Sequence, residues 1–429
     1  MSDIKRILWG DDVRRATTVM AALFLVACIV YLLVVYFAGI ETEVIRDRFW
    51  KNAEPLFNGE FPVMEYPPLA IVFIAIPRFF GNTPWSYETA YVAEVFVFVV
   101  IGLLLVSRLA RVLGYDRIKA MMAYSILVVL MIEFVLDRFD IFVMVITLAS
   151  VLMFAERRYN WAFVLLAVGV LVKLYPAILF PVYVLLMMNQ GRMREMAVGA
   201  ASFVTVGLVA VAVCWVINPE IITNFLSYNS GRPLQIESVA ASVIYFFSLF
   251  GVSDMWIQEA SAESFWSDNL RGAIPDAVSE VLLTCTVIGL IAVWVLSAYL
   301  LKRHPGQGSR LAALAMLACM LVFLVVNKVF SSQYVIWLIG PVLLVMLVCN
   351  DGFGRRVFML TVAIILLTQL NFAYNIGYLG GGDAINSLGM AILLVRNILT
   401  VYMLAVVLRR MFSVGDGDAD GQGSDAVLA

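Results

Sequence analysis

The chain has 429 residues, of which 63% are hydrophobic and 14% charged, with a mean hydropathy of +0.95 and a formal net charge of −2. A soluble domain clothes its surface with about a quarter charged residues, so lipid must be the solvent for most of this one. Near-neutrality excludes the basic footprint of a nucleic-acid binder, and a single histidine, His304, argues against a Ser-His-Asp triad, the usual zinc sites and a histidine proton relay.

Residues 1–15 are polar and of mixed charge. The apolar run that follows, near 16–39, is too long for a signal-peptide core and reads as a retained first helix. Further spans are predicted near 86–107, 120–136, 141–155, 161–173, 176–188, 196–217, 279–300, 311–327, 333–349, 357–374 and 387–408. Apolar runs of about 17–25 residues fit helices across a bilayer, not the alternating segments of a β-barrel. Leu69–Ile76, bracketed by Pro67, Pro68 and Pro77, is too short to span and reads as an interfacial or re-entrant helix. The expected fold is an all-α polytopic membrane protein with about 12 transmembrane helices, plus interfacial helices in the first outer loop. Residues 1–412 read as one domain and 413–429 as a disordered acidic tail. Asp416, Asp418 and Asp420 imitate the start of a calcium loop there, but its twelfth position is Val427, and no metal site is expected. The five cysteines all lie in apolar runs and read as small core residues.

Charge sets the orientation. Nineteen of the 29 basic residues fall in one set of loops, among them Arg108, Arg117, Arg192, Arg303, Arg355 and Arg409. The positive-inside rule then predicts a multi-pass protein of the cell membrane with both termini cytoplasmic. The opposite loops, about 41–85 and 218–278, are long, polar and aromatic, where function concentrates.

The first of these loops gathers Glu41, Glu43, Asp47, Glu54, Glu60 and Glu65 among aromatic residues. It is either a solvated amphipathic helix or a sugar site, since a carboxylate can take a hydroxyl proton and aromatic faces stack on pyranose rings. Asp137, Arg138 and Asp140 form either a polar hairpin that pairs its own charges or part of the same site. Lys173, beside Tyr175 and Pro176, lies between two short apolar segments whose far ends are basic, and is read as an anion-binding lysine. Arg232, Gln235 and Glu237 lie in the second long loop, and Lys328, Gln333 and Tyr334 between the ninth and tenth spans. Arg396 sits deep in the last span and calls for a partner or a bound anion.

In order, Gly59…Pro62…Glu65-Tyr-Pro-Pro-Leu, Lys173-Leu-Tyr-Pro, Arg232-Pro-Leu-Gln-Ile-Glu-Ser and Asn327-Lys-Val-Phe-Ser-x-Gln-Tyr-x-Ile-Trp resemble glycosyltransferase family 87, which includes polyprenyl-phosphate-mannose-dependent α-mannosyltransferases. The resemblance covers roughly 41–350 and implies the GT-C fold, a polyprenyl-phosphate sugar donor and an acidic base in the first outer loop. Where the family carries its aspartate, this chain has Ile45, flanked two residues away by Glu43 and Asp47. Asp47 is preferred as the base, with Glu43 the alternative and Glu65 behind them. The resemblance further implies a membrane hexosyltransferase that moves a sugar, with mannose the first choice, by inversion to a lipid-linked or glycan acceptor. Lys173, Arg232 and Lys328 would face the donor phosphate. Glu65, Tyr66, Asp137, Arg138, Asp140, Tyr175, Gln235, Glu237, Gln333 and Tyr334 would complete the substrate site. No cofactor is expected, and the partners are the donor, the acceptor and membrane lipid. The rival class is a secondary transporter or lipid flippase. It is disfavoured because the candidate polar groups crowd one face and no repeated halves are visible.

Overall fold

The computed structural model describes residues 11–38, 43–251, 255–261, 264–349, 351–375 and 387–414. In chain order the α-helices are α1 (Asp11–Ala38), α2 (Trp50–Phe57), α3 (Ala70–Ala75), α4 (Pro84–Val112), α5 (Arg117–Leu130), α6 (Ile132–Asp137), α7 (Asp140–Ala155), α8 (Tyr159–Val172), α9 (Phe180–Asn189), α10 (Met193–Ile217), α11 (Glu220–Gly231), α12 (Val239–Ser248), α13 (Ala273–Arg303), α14 (Gly308–Val326), α15 (Ile339–Val348), α16 (Gly352–Asn375) and α17 (Ser387–Ser413). Among the described residues, seven helices are long and apolar enough to cross a membrane. The chain is an all-α polytopic membrane protein.

Every predicted span coincides with a helix or with two short ones in series. The segment near 120–136 is broken at Met131 into α5 and α6, and that near 333–349 begins as a 3-10 turn, Ser332–Leu338. Leu69–Ile76 forms the short α3, continued by a 3-10 turn over Ile76–Phe79. The first long loop is helical too, with a π-helix over Glu43–Phe49 leading into α2. Glu41, the side chain of Glu43 and residues 415–429 lie outside the described residues.

Contacts gather the chain into two compact units. The first takes the residues up to Ala177 together with Arg194–Phe225. Here α4 packs against α1, α5 and α7, and α7 forms an antiparallel hairpin with α8. Thr83 caps α4 through a reciprocal bond with Ser86, and Pro84 follows where a helix needs no amide donor. Asp116 caps α5 by accepting from the amides of Ile118 and Lys119. The hairpin is tied by Ser150 Oγ, which donates to the Ala162 carbonyl at 2.7 Å. Tyr87 fastens α3 to α4 by donating to the Ile74 carbonyl at 2.7 Å. α10 lies at the other extreme of packing, with 6% of its most apolar stretch buried.

The second unit takes Ile178–Met193 and the residues from Leu226 onward. At its centre is α14, buried over 78% of its most apolar stretch and packed by α13, α15 and α17. A helix apolar all round belongs in such a place. The second long loop is ordered by a small antiparallel sheet that the sequence reading did not anticipate: β1 (Leu234–Gln235), β2 (Trp256–Gln258) and β3 (Asn269–Arg271), in the order β1-β3-β2. Strands of two or three residues are too short to show an alternating pattern. Leu234 and Leu270 face each other across β1 and β3 and join Ala241 and Ile244 in a local core.

Candidate functional site

In the first unit the chain leaves α2 through Gly59, at φ +82°, where any side chain would be strained. The loop returns to bring Glu65 and Tyr66 beside the π-helix. Arg48 is ion-paired with Glu65, and Arg46 with the fully buried Glu88. Phe49 lies 5.9 Å from the Phe139 ring, and Tyr66 lies 4.6 Å from Phe139, edge to face. Phe49 and Phe139 are buried, so Tyr66 alone of the three keeps surface for a ligand. Phe139 continues the cluster to Lys173, whose Nζ sits 4.8 Å from its ring centroid and 2.6 Å from Asp140 Oδ1. Asp140 is buried at the first position of α7, where the helix dipole favours its negative charge.

Glu65, Tyr66, Asp140 and Lys173 are thus joined by direct contacts through Arg48, Phe49 and Phe139. Asp137 and Arg138 pair with each other. Burial pushes the Asp137 carboxyl above the usual carboxylate range, and the Arg138 guanidinium opposes this. Tyr175 is buried, with its hydroxyl 3.5 Å from Thr147 Oγ1. Asp47 differs from its neighbours. Its side chain is 43% exposed and pairs with Lys51, one turn on and 68% exposed. Ile45 is fully buried, so an acid at that position would sit in the core rather than at the surface.

In the second unit the break between α14 and α15 is laced to β1. Gln235 donates to Ser331 Oγ at 2.8 Å and its backbone amide to the Lys328 carbonyl at 3.0 Å. Glu237 accepts from Ser332 and from Arg396, at 3.2 Å in the latter case. Burial raises the Glu237 carboxyl, and the guanidinium of Arg396 counters it. The deep arginine of the last span therefore has its partner. It also lies 4.2 Å from the Phe330 ring centroid. Tyr334 is stacked on Trp337 at 3.9 Å, and Gln333 is half-buried beside it in sequence.

Arg232 and Lys328 are arranged otherwise. The Arg232 guanidinium donates to Ser267 Oγ at 3.2 Å, and its buried Nε has no partner. The Lys328 ammonium donates to the Ser230 carbonyl at 2.9 Å. Burial lowers the Lys328 ammonium, and the nearby positive charge of Arg232 lowers it further. Among the described residues neither cation has a carboxylate partner. Nor, among the described residues, do three or more His, Cys, Asp or Glu side chains gather as a metal site would require.

Part of each group of contacts lies in a stretch that matches a known family. Residues 65–327, more than half of the chain, fit the model of glycosyltransferase family 87. The chain belongs to glycosyltransferase family 87. No curated protein matches it. The family 87 match takes in Glu65, Tyr66, Asp137, Arg138, Asp140, Lys173, Tyr175, Arg232, Gln235 and Glu237. It begins after Glu43 and Asp47 and stops before Lys328, Gln333 and Tyr334. Membership makes this a membrane glycosyltransferase and sets aside the transporter reading. The sequence reading passed over Arg46, Arg48 and Glu88. Glu88 did carry a signal, as an acid just inside a predicted apolar span.

Proposed function

We propose that this family 87 member transfers a hexose, with mannose the leading candidate, from a polyprenyl phosphate to a lipid-linked or glycan acceptor, with inversion at the anomeric carbon. The reaction would take place on the non-cytoplasmic side of the cell membrane, with both termini cytoplasmic. The observation that carries the reading is the pair Arg232 and Lys328. Two neighbouring cations, of which Lys328 is lowered by burial and by the charge of Arg232, and which have no carboxylate partner among the described residues, are stabilised by a bound anion. A sugar phosphate supplies one, and the charge on its oxygen grows as the bond to the anomeric carbon breaks. Asp47 is the proposed base, taking the acceptor's hydroxyl proton as the new glycosidic bond forms. Its support is exposure: of the acids in the π-helix region with described side chains, Glu88 and Glu65 are held by arginines, whereas Asp47 has only an exposed lysine. Glu43 remains the alternative base.

The test is transfer by the purified protein from radiolabelled polyprenyl-phosphate mannose, with donor affinity measured for Arg232→Gln and Lys328→Gln. Losing one charge-assisted hydrogen bond costs roughly 1.5–3 kcal/mol, or about 10–150-fold in donor affinity for each variant. Unchanged affinity in the double variant would overturn the phosphate role. Uptake of the donor into liposomes without product would overturn the transferase reading itself.

A further inference from the structure

At the ends of α16 and α17 that carry Arg356 and Arg409, the second unit holds a cleft of about 470 Å³ lined by none of the candidate site residues. Its polar walls are Arg356, Tyr402, Arg409, Arg410 and Ser413, and Phe353 contributes an aromatic face. Along α17 these residues recur every three or four positions, so the cleft follows one face of that helix for three turns. Arg356 donates to the Tyr402 hydroxyl and lies 5.6 Å from that ring's centroid. Arg410 is paired with Asp351 at 2.9 Å and lies 5.5 Å from the Phe353 ring centroid. Asp351 also caps α16, accepting from the amides of Phe353 and Gly354. One carboxylate therefore answers three guanidinium groups, and Arg356 and Arg409 have none among the described residues.

We propose that this cleft seats the phosphate headgroup of an anionic phospholipid. Both helices are long and apolar enough to cross a membrane, so the cleft opens at a bilayer surface. One turn deeper than Arg356 and Tyr402 stand Met359, 57% exposed, and Ile398, 58% exposed. A headgroup held by Arg356 and Arg409 can thus lay an acyl chain over apolar side chains that already face lipid. A free anion would gain nothing from that apolar track. The charge balance of the loops puts this end of the helices on the cytoplasmic side, where anionic lipids collect and basic clefts between helices hold them.

The experiment uses the full-length protein in detergent. Retention of phosphatidylglycerol and of phosphatidylcholine with the same acyl chains is compared by native mass spectrometry, with inorganic phosphate as competitor. A basic residue at such a surface contributes about 1 kcal/mol, so Arg356→Gln/Arg409→Gln should lower phosphatidylglycerol affinity by about 30-fold. Arg194→Gln, an exposed arginine elsewhere, should leave it unchanged. Equal retention of the two lipids, or unaltered retention by the double variant, would overturn the proposal. Displacement by millimolar phosphate would reassign the cleft to a soluble anion. A photoreactive phosphatidylglycerol headgroup gives a second readout on the unaltered protein. Labelling of peptides that contain Phe353–Arg356 or Tyr402–Ser413 supports the site, and labelling elsewhere only would count against it.

Discussion

At the scale of single residues, neighbours in sequence have very different environments. Arg46 and Arg48 are held by Glu88 and Glu65, while Asp47 between them stays partly exposed. Asp47→Asn keeps the size of the side chain and removes its ability to take a proton. Transfer should fall at least about 100-fold with donor affinity intact, since a general base commonly supplies 10²–10⁴-fold. A normal rate in Asp47→Asn together with an inactive Glu43→Gln would move the base two residues upstream. Lys173 calls for a different experiment. Its partner Asp140 is 1% exposed, so Lys173→Met takes an ammonium away from a buried carboxylate. Breaking such a pair costs roughly 3–5 kcal/mol, and removing both charges is far cheaper. Lys173→Met should therefore unfold at a clearly lower temperature than Lys173→Met/Asp140→Asn in the same detergent. Equal unfolding temperatures for the single variant and the natural protein would mean that the ion pair contributes nothing. Lys173 was read from sequence as an anion-binding residue because an unpaired lysine near a bilayer is expensive. Asp140 was in view as well, but a pairing over 33 positions is set by the α7–α8 hairpin and has no local signature.

At the scale of elements, close approach is governed by small residues. An added Cβ at Gly102 of α4 would lie 2.2 Å from the Tyr124 hydroxyl, and Tyr124 is buried and bonded to the Val99 carbonyl at 3.0 Å. Gly102→Ala should therefore destabilise the protein by about 1–3 kcal/mol through overpacking. Tyr124→Phe removes the clashing oxygen, so the double variant should lose less than the two single variants summed. Strict additivity in thermal unfolding would show that this contact does not set the spacing of α4 and α5. The helices themselves were legible in the sequence because apolar length is a strong signal and their breaks fall at Pro, Gly and polar clusters. The small sheet was not, since its strands draw their stability from Leu234 and Leu270 meeting a local core assembled by later residues. The contacts of Gln235 with Ser331 and of Glu237 with Arg396 were equally hidden, although Gln235 and Glu237 stood out in the second long loop, Ser331 at the break between two spans and Arg396 within the last span.

At the scale of the whole molecule, charge predicts which ends of the helices share a side. In the first unit, a cysteine at position 47 should react with an impermeant reagent added outside, and one at position 117 should not. In the second unit, position 328 should behave like 47 and position 355 like 117. The measurement is labelling of intact cells on a cysteine-free background. Reaction of 47 and 117 from the same side would sink the twelve-span arrangement.

The bareness of α10 has a consequence for how its sequence can vary. Among residues with described surroundings, Gly199 and Cys214 are the ones it buries, and the Phe163 ring fills the space where a side chain at Gly199 would go. Over most of the rest of its apolar surface, polar contacts such as that of Ser202 with Asn160 apart, the constraint is solubility in hydrocarbon, which many apolar sequences satisfy equally well. Its spelling is thus nearly free while its oiliness is fixed, so that α10 works as a float with one keel point at Gly199 and another at Cys214.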